Sequence, residues 1–246
     1  MKTVICHFYN EEYLLPRWLN HNKKIFNHGI MLNNGSTDSS VQIIKDICPD
    51  WQIVDSSEPW FDAQLIDQEI QRLETTVEGW KTCLNVTEFL LGNLDSITNS
   101  SANEHYISSI QLYDWNPEGT LDPNKNIWEQ IVLGVDPRQH LSHRMTRAFH
   151  RNSHINYPVG RHFGHKTTED VVIVHVTNCI SSPEMLARRL QIQHKIRAAD
   201  RAKGFGVHHY NWGAPEGLTA EAVHQYMLNT WNLVSDCSEY INKLSK

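Results

Sequence analysis

No uninterrupted apolar run in the 246 residues approaches the ~18 that would suggest a membrane span. The opening, Met1-Lys2-Thr3-Val4-Ile5-Cys6-His7, turns polar too soon for a signal peptide. Positive charge is not in excess: 22 Lys+Arg against 28 Asp+Glu give a net charge of −6, which argues against a dedicated nucleic-acid binder. Cys6, Cys48, Cys83, Cys179 and Cys237 form an odd, scattered set without a CxxC pair or zinc spacing, and read as reduced core thiols. Internal repeats, low-complexity tracts and a Gly-rich phosphate loop are also missing. Asn34-Gly35-Ser36, Asn85-Val86-Thr87 and Asn99-Ser100-Ser101 match the glycosylation sequon, but the first two fall in candidate site loops and all three read as chance. At 40% hydrophobic and 20% charged, the chain is expected to be a soluble, cytoplasmic protein. It is long enough to bury roughly 70–75% of its extended surface without staples.

The first hundred residues alternate strand-like and helix-like segments. Thr3 to Phe8 is a short apolar run with β-branched residues, which suits a buried strand. Leu14, Leu15, Trp18 and Leu19 then recur at helical spacing, with Pro16 tolerable only in the first turn. Gly29 to Leu32 is a second strand, followed by a helix from Ser39 or Ser40 that either serine can cap. Gln52 to Val54, Asp62 to about Glu78 and Trp80 to Leu84 continue as strand, helix and strand. This order predicts an α/β fold with right-handed crossovers, a largely parallel sheet flanked by helices, and ligands outside the carboxyl ends of the strands. Three polar loops then share one rim: His7 to Asn10, Asn33 to Asp38, and Asn85 to Glu88.

The second half is less regular. Ile107 to Leu112 and Val171 to Val176 read as strands, and 113–166 as loop. One long helix is expected from Pro183 to about Lys203, and a final one from about Thr219 to Lys243. The reading is one domain over 1–246: a first half to 95, a second to 203, and a helical extension.

Together the motifs resemble the nucleotide-sugar glycosyltransferases of the GT-A fold, in particular the family-two-like subgroup. The residues carrying the likeness are Asn10-Glu11-Glu12, Trp18-Leu19-Asn20-His21, Asn33-Asn34-Gly35-Ser36-Thr37-Asp38-Ser39-Ser40, Phe61-Asp62-Ala63-Gln64 and the stretch from Trp80 to Leu90. Gly160-Arg161-His162 and His175-Val176-Thr177, followed by Ser181-Ser182-Pro183-Glu184, resemble later family segments. The likeness covers residues 1 to about 203 and is strongest over the first ninety. It implies a nucleotide-sugar donor, a glycan or other hydroxyl acceptor, and an inverting transfer. Peripheral contact with a membrane stays open.

The departures are specific. Where the family has a metal-binding D-x-D, this chain has Asn85-Val86-Thr87, and the first Asp of the D-N-G-S-T-D turn is Asn33. Neutral oxygens hold Mg²⁺ or Mn²⁺ much less well than carboxylates. Either Glu88 and His175 still hold a divalent cation, or the cationic Arg161, His162, Arg188 and Arg189 replace it.

The resemblance implies nucleotide-sugar contacts from Tyr9, Asn10, Glu11, Asn33, Asp38, Gln64, Asn85, Thr87, Arg161, His162 and Arg188. Plainer readings stand beside it. Asn10 could simply cap a helix, Asn33 to Asp38 could be an ordinary turn, and His175 a satisfied core histidine. The six Lys/Arg between Glu184 and Lys203 could be a solvated face. An inverting transfer needs a base beside the acceptor hydroxyl. Asp114, after a strand and before a Trp115 on which a sugar can stack, is the candidate. Glu118 is its nearest rival, and Glu169-Asp170 a competing pair. The alternatives are a non-catalytic sugar-binding member of the fold and a nucleotidyltransferase, which would normally need the missing acidic metal site.

Overall fold

The computed structural model describes residues 1–140, 145–163, 170–204 and 217–245. Its first part is β1 (Lys2–Phe8), α1 (Leu15–Asn22), β2 (His28–Asn33), α2 (Ser40–Ile47), β3 (Gln52–Asp55), α3 (Ala63–Glu74) and β4 (Trp80–Cys83). These strands pair in parallel in the order β3-β2-β1-β4. Strands covered on both faces need apolar residues at consecutive positions, and β1 and β2 have them. Val4, Cys6, Phe8 and Met31 pack with α1 and α2, while Ile5, Ile30 and Leu32 pack with Ile66 and Ile70 of α3. Asp62 caps α3, accepting from the backbone N–H of Gln64 (3.0 Å) and Leu65 (3.1 Å). Gly29 is required where β2 meets Trp51, because a Cβ there would lie 2.1 Å from the indole Cε3.

The second part adds β5 (Glu88–Gly92), α4 (Asp95–Thr98), β6 (Glu104–Trp115), β7 (Leu133–Val135), β8 (Thr146–His150), β9 (Val171–Ile180), α5 (Pro183–Gln191), α6 (Ala198–Ala202), α7 (Ala220–Thr230), β10 (Ser235–Asp236) and α8 (Ser238–Leu244). β8 joins the parallel half to β6 through antiparallel pairing on both its sides. The 12-residue β6 carries β8 along its first half and β9, in parallel, along its second. β5 lies antiparallel to β9, pairing Glu88 with His175. The α/β class is as expected: β3-β2-β1-β4 and the β6–β9 pair are parallel, and antiparallel pairings of β8, β5, β7 and β10 extend the sheet.

Several local expectations change. Glu88 to Gly92 is a strand, held to α1 by Trp18 Nε1 donating to Glu88 O (2.9 Å) and by His21 Nε2 at 2.7 Å from Leu90 O. The stretch 183–203 is not one helix: Ile196 is extended and buried between α5 and α6. The last helix is also interrupted, because Ser235 and Asp236 pair with β7. Neither Ser39 nor Ser40 caps α2; Asp38 and Glu12 accept the N–H groups of Ser40 and Ser39 instead. The five cysteines are all buried and free, and among the described residues no helix is long and apolar enough to cross a membrane.

Candidate active site

A cleft of about 350 Å³ opens at the carboxyl ends of β1 and β4, between β9, α5 and the turn at Gly160–Arg161. β1 brings His7 to it, and Tyr9 and Glu11 follow in the next loop. The β4–β5 turn brings Asn85 and Thr87. β9 contributes His175, Thr177 and Asn178, and α5 contributes Arg188 and Arg189. Strict alternation would put Thr177 and Asn178 on opposite faces. An extra residue of β9 opposite Gln111–Tyr113 of β6 breaks the register and turns both to the cleft.

Nine of the residues singled out from the sequence therefore meet here: Tyr9, Glu11, Asn85, Thr87, Arg161, His162, His175, Arg188 and Arg189. The others take different positions. Asn10 and the Asn33–Asp38 turn hold each other, with Asn10 Oδ1 accepting from Thr37 N–H (2.8 Å) and Asn33 Oδ1 accepting from Ser36 N–H (2.9 Å). Both oxygens of Asp38 accept backbone N–H groups, from Glu12 and from Ser40, at 3.0 Å. Gln64 is exposed on α3, outside the cleft lining. Asp114 is not in the lining either: Gln111 faces the cleft, and Asp114 lies by Cys179, whose thiol pKa is raised by burial and then by that carboxylate. Glu118 is exposed in the following turn. Trp115 stacks on His224, centroids 4.3 Å apart. Glu169 lies outside the described residues.

Three guanidinium groups line the cleft, against one carboxylate among the described lining residues. Arg188 grips that carboxylate, Glu11, with Nε–Oε2 at 2.5 Å and Nη2–Oε1 at 2.6 Å. Arg161 donates through Nη1 to Asp67 Oδ1 and through Nη2 to Asn85 Oδ1 (3.0 Å), while Asp67 Oδ2 accepts Gly160 N–H (3.0 Å). Burial, with the like charge of Arg188, lowers the pKa of Arg189 to about 10, so it too is cationic near neutrality. The histidines behave oppositely. Desolvation lowers His175 to about 4 and His7 to about 3, so both are neutral. His175 Nδ1 and His7 Nε2 are buried without a hydrogen-bond partner, as is Asn178 Oδ1.

A divalent ion does not fit these donors. Asn85 Oδ1 already accepts from a cation. Glu88 is fully buried, with both carboxylate oxygens bound by Arg147 at 2.8–3.0 Å and Oε2 also accepting Asn85 N–H (2.8 Å). Burial would raise the Glu88 pKa, but the Arg147 guanidinium holds it below the usual carboxylate value. Among the described residues no three His, Cys, Asp or Glu side chains converge as a metal site would require.

Asn178 and Gln191 were not marked from the sequence, and His7 was marked only as the first residue of the rim loop His7 to Asn10. Asn178 had no signal, because the extra residue in β9 is invisible to periodicity.

No family model and no curated protein matches the sequence. Among solved structures, S. aureus TarS 1–349 is 12% identical over 94% of this chain and 78% of that one, with a TM-score of 0.37. Glucosyl-3-phosphoglycerate synthase from Mycobacterium tuberculosis, solved with Mn²⁺, UDP and glucosyl-3-phosphoglycerate, is 11% identical over 45% of this chain, with a TM-score of 0.35. The matched part spans 44% of the synthase, less than half its length. Likeness at this level carries no functional argument.

Proposed function

We propose that the protein binds a nucleoside-diphosphate sugar in this cleft and transfers the sugar to a hydroxyl acceptor. The observation carrying this reading is the cationic lining at the carboxyl ends of parallel strands, where Arg161, Arg188 and Arg189 stand against one carboxylate, Glu11, among the described lining residues. The order of motifs in the sequence supports it. In an inverting transfer the acceptor oxygen bonds to the anomeric carbon as the bond from that carbon to the diphosphate oxygen breaks. The diphosphate leaves with the electron pair, and its developing charge needs fixed donors or cations. The hydroxyl proton needs an acceptor, and Asp114 is not in the cleft lining. His175 takes that role: it is neutral, lines the cleft, and keeps Nδ1 without a partner.

A second reading, a sugar-nucleotide-binding protein without turnover, is favoured by one feature. The carboxylate that lines the described cleft, Glu11, is committed to Arg188. Release of nucleoside diphosphate from UDP-, GDP-, dTDP- and CDP-sugars, measured beside calorimetric binding, separates the two. Turnover that falls about 10²–10⁴-fold in His175→Asn with binding retained supports the transferase and its base. Binding without turnover supports the second reading, and absence of both removes the nucleotide-sugar assignment.

A further inference from the structure

Arg161 is held in an unusual way. Its backbone φ is +61°, directly after Gly160 at +82°, a left-handed conformation that side chains other than Gly, Asn and Asp rarely adopt. The turn is kept there from three directions. Asp67 accepts from both Gly160 N–H and the Arg161 guanidinium, Arg147 Nη1 donates to Gly160 O (2.7 Å), and Arg161 N–H donates to Pro158 O (2.7 Å). The guanidinium is buried in the cleft wall, and its Nε–H has no partner.

The partners also set its charge. Burial acts to lower the Arg161 pKa, and Cys83, Asp67 and Glu88 more than offset it. Asp67 supplies one counter-charge. Glu88 lies next in the cluster, but Arg147 has already taken it. Asn85 orients Nη2 through its amide oxygen without adding a second negative charge, which an Asp at that position would do. With an Asp there, Arg161 would face two carboxylates and one of them would be unmatched, a net negative charge that repels a phosphate. With Asn85 the cluster is neutral overall, and the guanidinium that lines the cleft keeps one N–H, at Nε, without a partner.

We propose that the Arg161 guanidinium, clamped by Asp67 and Asn85, occupies the role of a divalent ion: it donates to the diphosphate of the donor and stabilises its charge as the sugar leaves. The proposal rests on the nucleotide-sugar reading. It assigns the neutral Asn85 a purpose, since a fixed guanidinium needs an orienting acceptor where a metal would need carboxylates. Donor binding is then independent of divalent metal.

Calorimetry with UDP, GDP, dTDP and CDP, on the unmodified protein in EDTA and again with Mn²⁺, is the test. The expected result is that at least one of the four binds in EDTA and that Mn²⁺ leaves its Kd unchanged. Arg161→Gln then weakens that binding by about 10- to 100-fold, the loss of one charge-assisted donor. Binding only in the presence of Mn²⁺ overturns the role of Arg161 while leaving the nucleotide reading intact. So does an Arg161→Gln protein that folds, by its melting curve, and binds as tightly as the unmodified one. No binding under either condition removes both. Should Arg161→Gln fail to fold, the comparison of EDTA with Mn²⁺ decides the matter on the unmodified protein, and Arg161→Lys, which keeps charge but not the fork, is expected to bind more weakly than the unmodified protein.

Discussion

His7, His21 and His175 sit in surroundings that oppose protonation. Desolvation lowers all three, with Arg161 and Lys195 adding to it at His7 and Lys24 at His21. Around His175, Glu88 pulls the pKa up, and Arg147, Arg189 and Arg188 push it down, leaving about 4. An unfolded histidine titrates near ~6.5. Below that pH the unfolded chain binds protons that the folded protein refuses, so the stability contribution is complete above ~6.5 and declines as pH falls toward the folded values. Each histidine contributes a slope of up to about 1.4 kcal/mol per pH unit. Urea midpoints are expected to fall steadily between about pH 6.5 and 5, a window in which ordinary carboxylates remain ionised in both states. His175→Asn should flatten the profile. A midpoint that is level across the window would mean that these rings reach water in the folded protein.

At the scale of elements, the N-terminal half was legible because its signals are local. Val4 to Cys6 and Ile30 to Leu32 bury consecutive residues on both faces of the sheet, and Leu14, Leu15, Trp18 and Leu19 bury one face of a helix. β5 was not legible as a strand, because Glu88 opens it and a fully buried glutamate contradicts local composition. Its solution is Arg147, 59 residues away and visible only in three dimensions. The break between α5 and α6 has a similar origin. No Gly or Pro interrupts 184–203, but ending the helix lets Lys195 donate to Pro59 O (2.7 Å) and sit 4.4 Å from the Tyr9 ring centroid. Tertiary contacts override propensity there. Of the cleft lining, Arg161, Arg188, Arg189 and Asn85 could be read from the sequence, whereas the placing of Gln111 rather than Asp114 toward the cleft could not, since it depends on the register of β6 against β9. The buried pair makes a direct prediction. Arg147→Met leaves Glu88 charged and uncompensated, and should cost about 3–5 kcal/mol in urea unfolding. Glu88→Gln combined with Arg147→Met should recover part of that loss. A single variant that loses less than about 1 kcal/mol would mean that water reaches Glu88 and the pair behaves like a surface one.

Across the whole molecule, the cleft depends on contacts between distant parts of the chain. α5 is strapped to the loop after β1 by Arg188 and Glu11, 177 residues apart, by Gln191 Nε2 donating to Asn10 O (2.6 Å), and by Ser182 Oγ donating to Tyr13 OH (3.0 Å). The molecule carries a net charge of −6, so an anion is not drawn to it by overall charge; the arginines must act locally. Glu11 and Arg188 allow the structural and the electrostatic roles of this contact to be separated. Glu11→Gln and Arg188→Met each break the same partly buried pair, so both should lower stability. Their effects on the cleft differ in sign. Glu11→Gln leaves three guanidinium groups with the lining carboxylate removed, whereas Arg188→Met leaves that carboxylate facing the ligand. At a few ångströms and an effective dielectric constant near ~20, one charge changes the energy of a phosphate by a few kcal/mol before screening, enough for about tenfold in affinity. Nucleoside-diphosphate binding should therefore tighten or hold in Glu11→Gln and weaken by about tenfold or more in Arg188→Met. If both variants lose affinity in step with their loss of stability, the pair acts only as a strap between α5 and the β1 loop, and the cleft does not select its ligand by charge at this position.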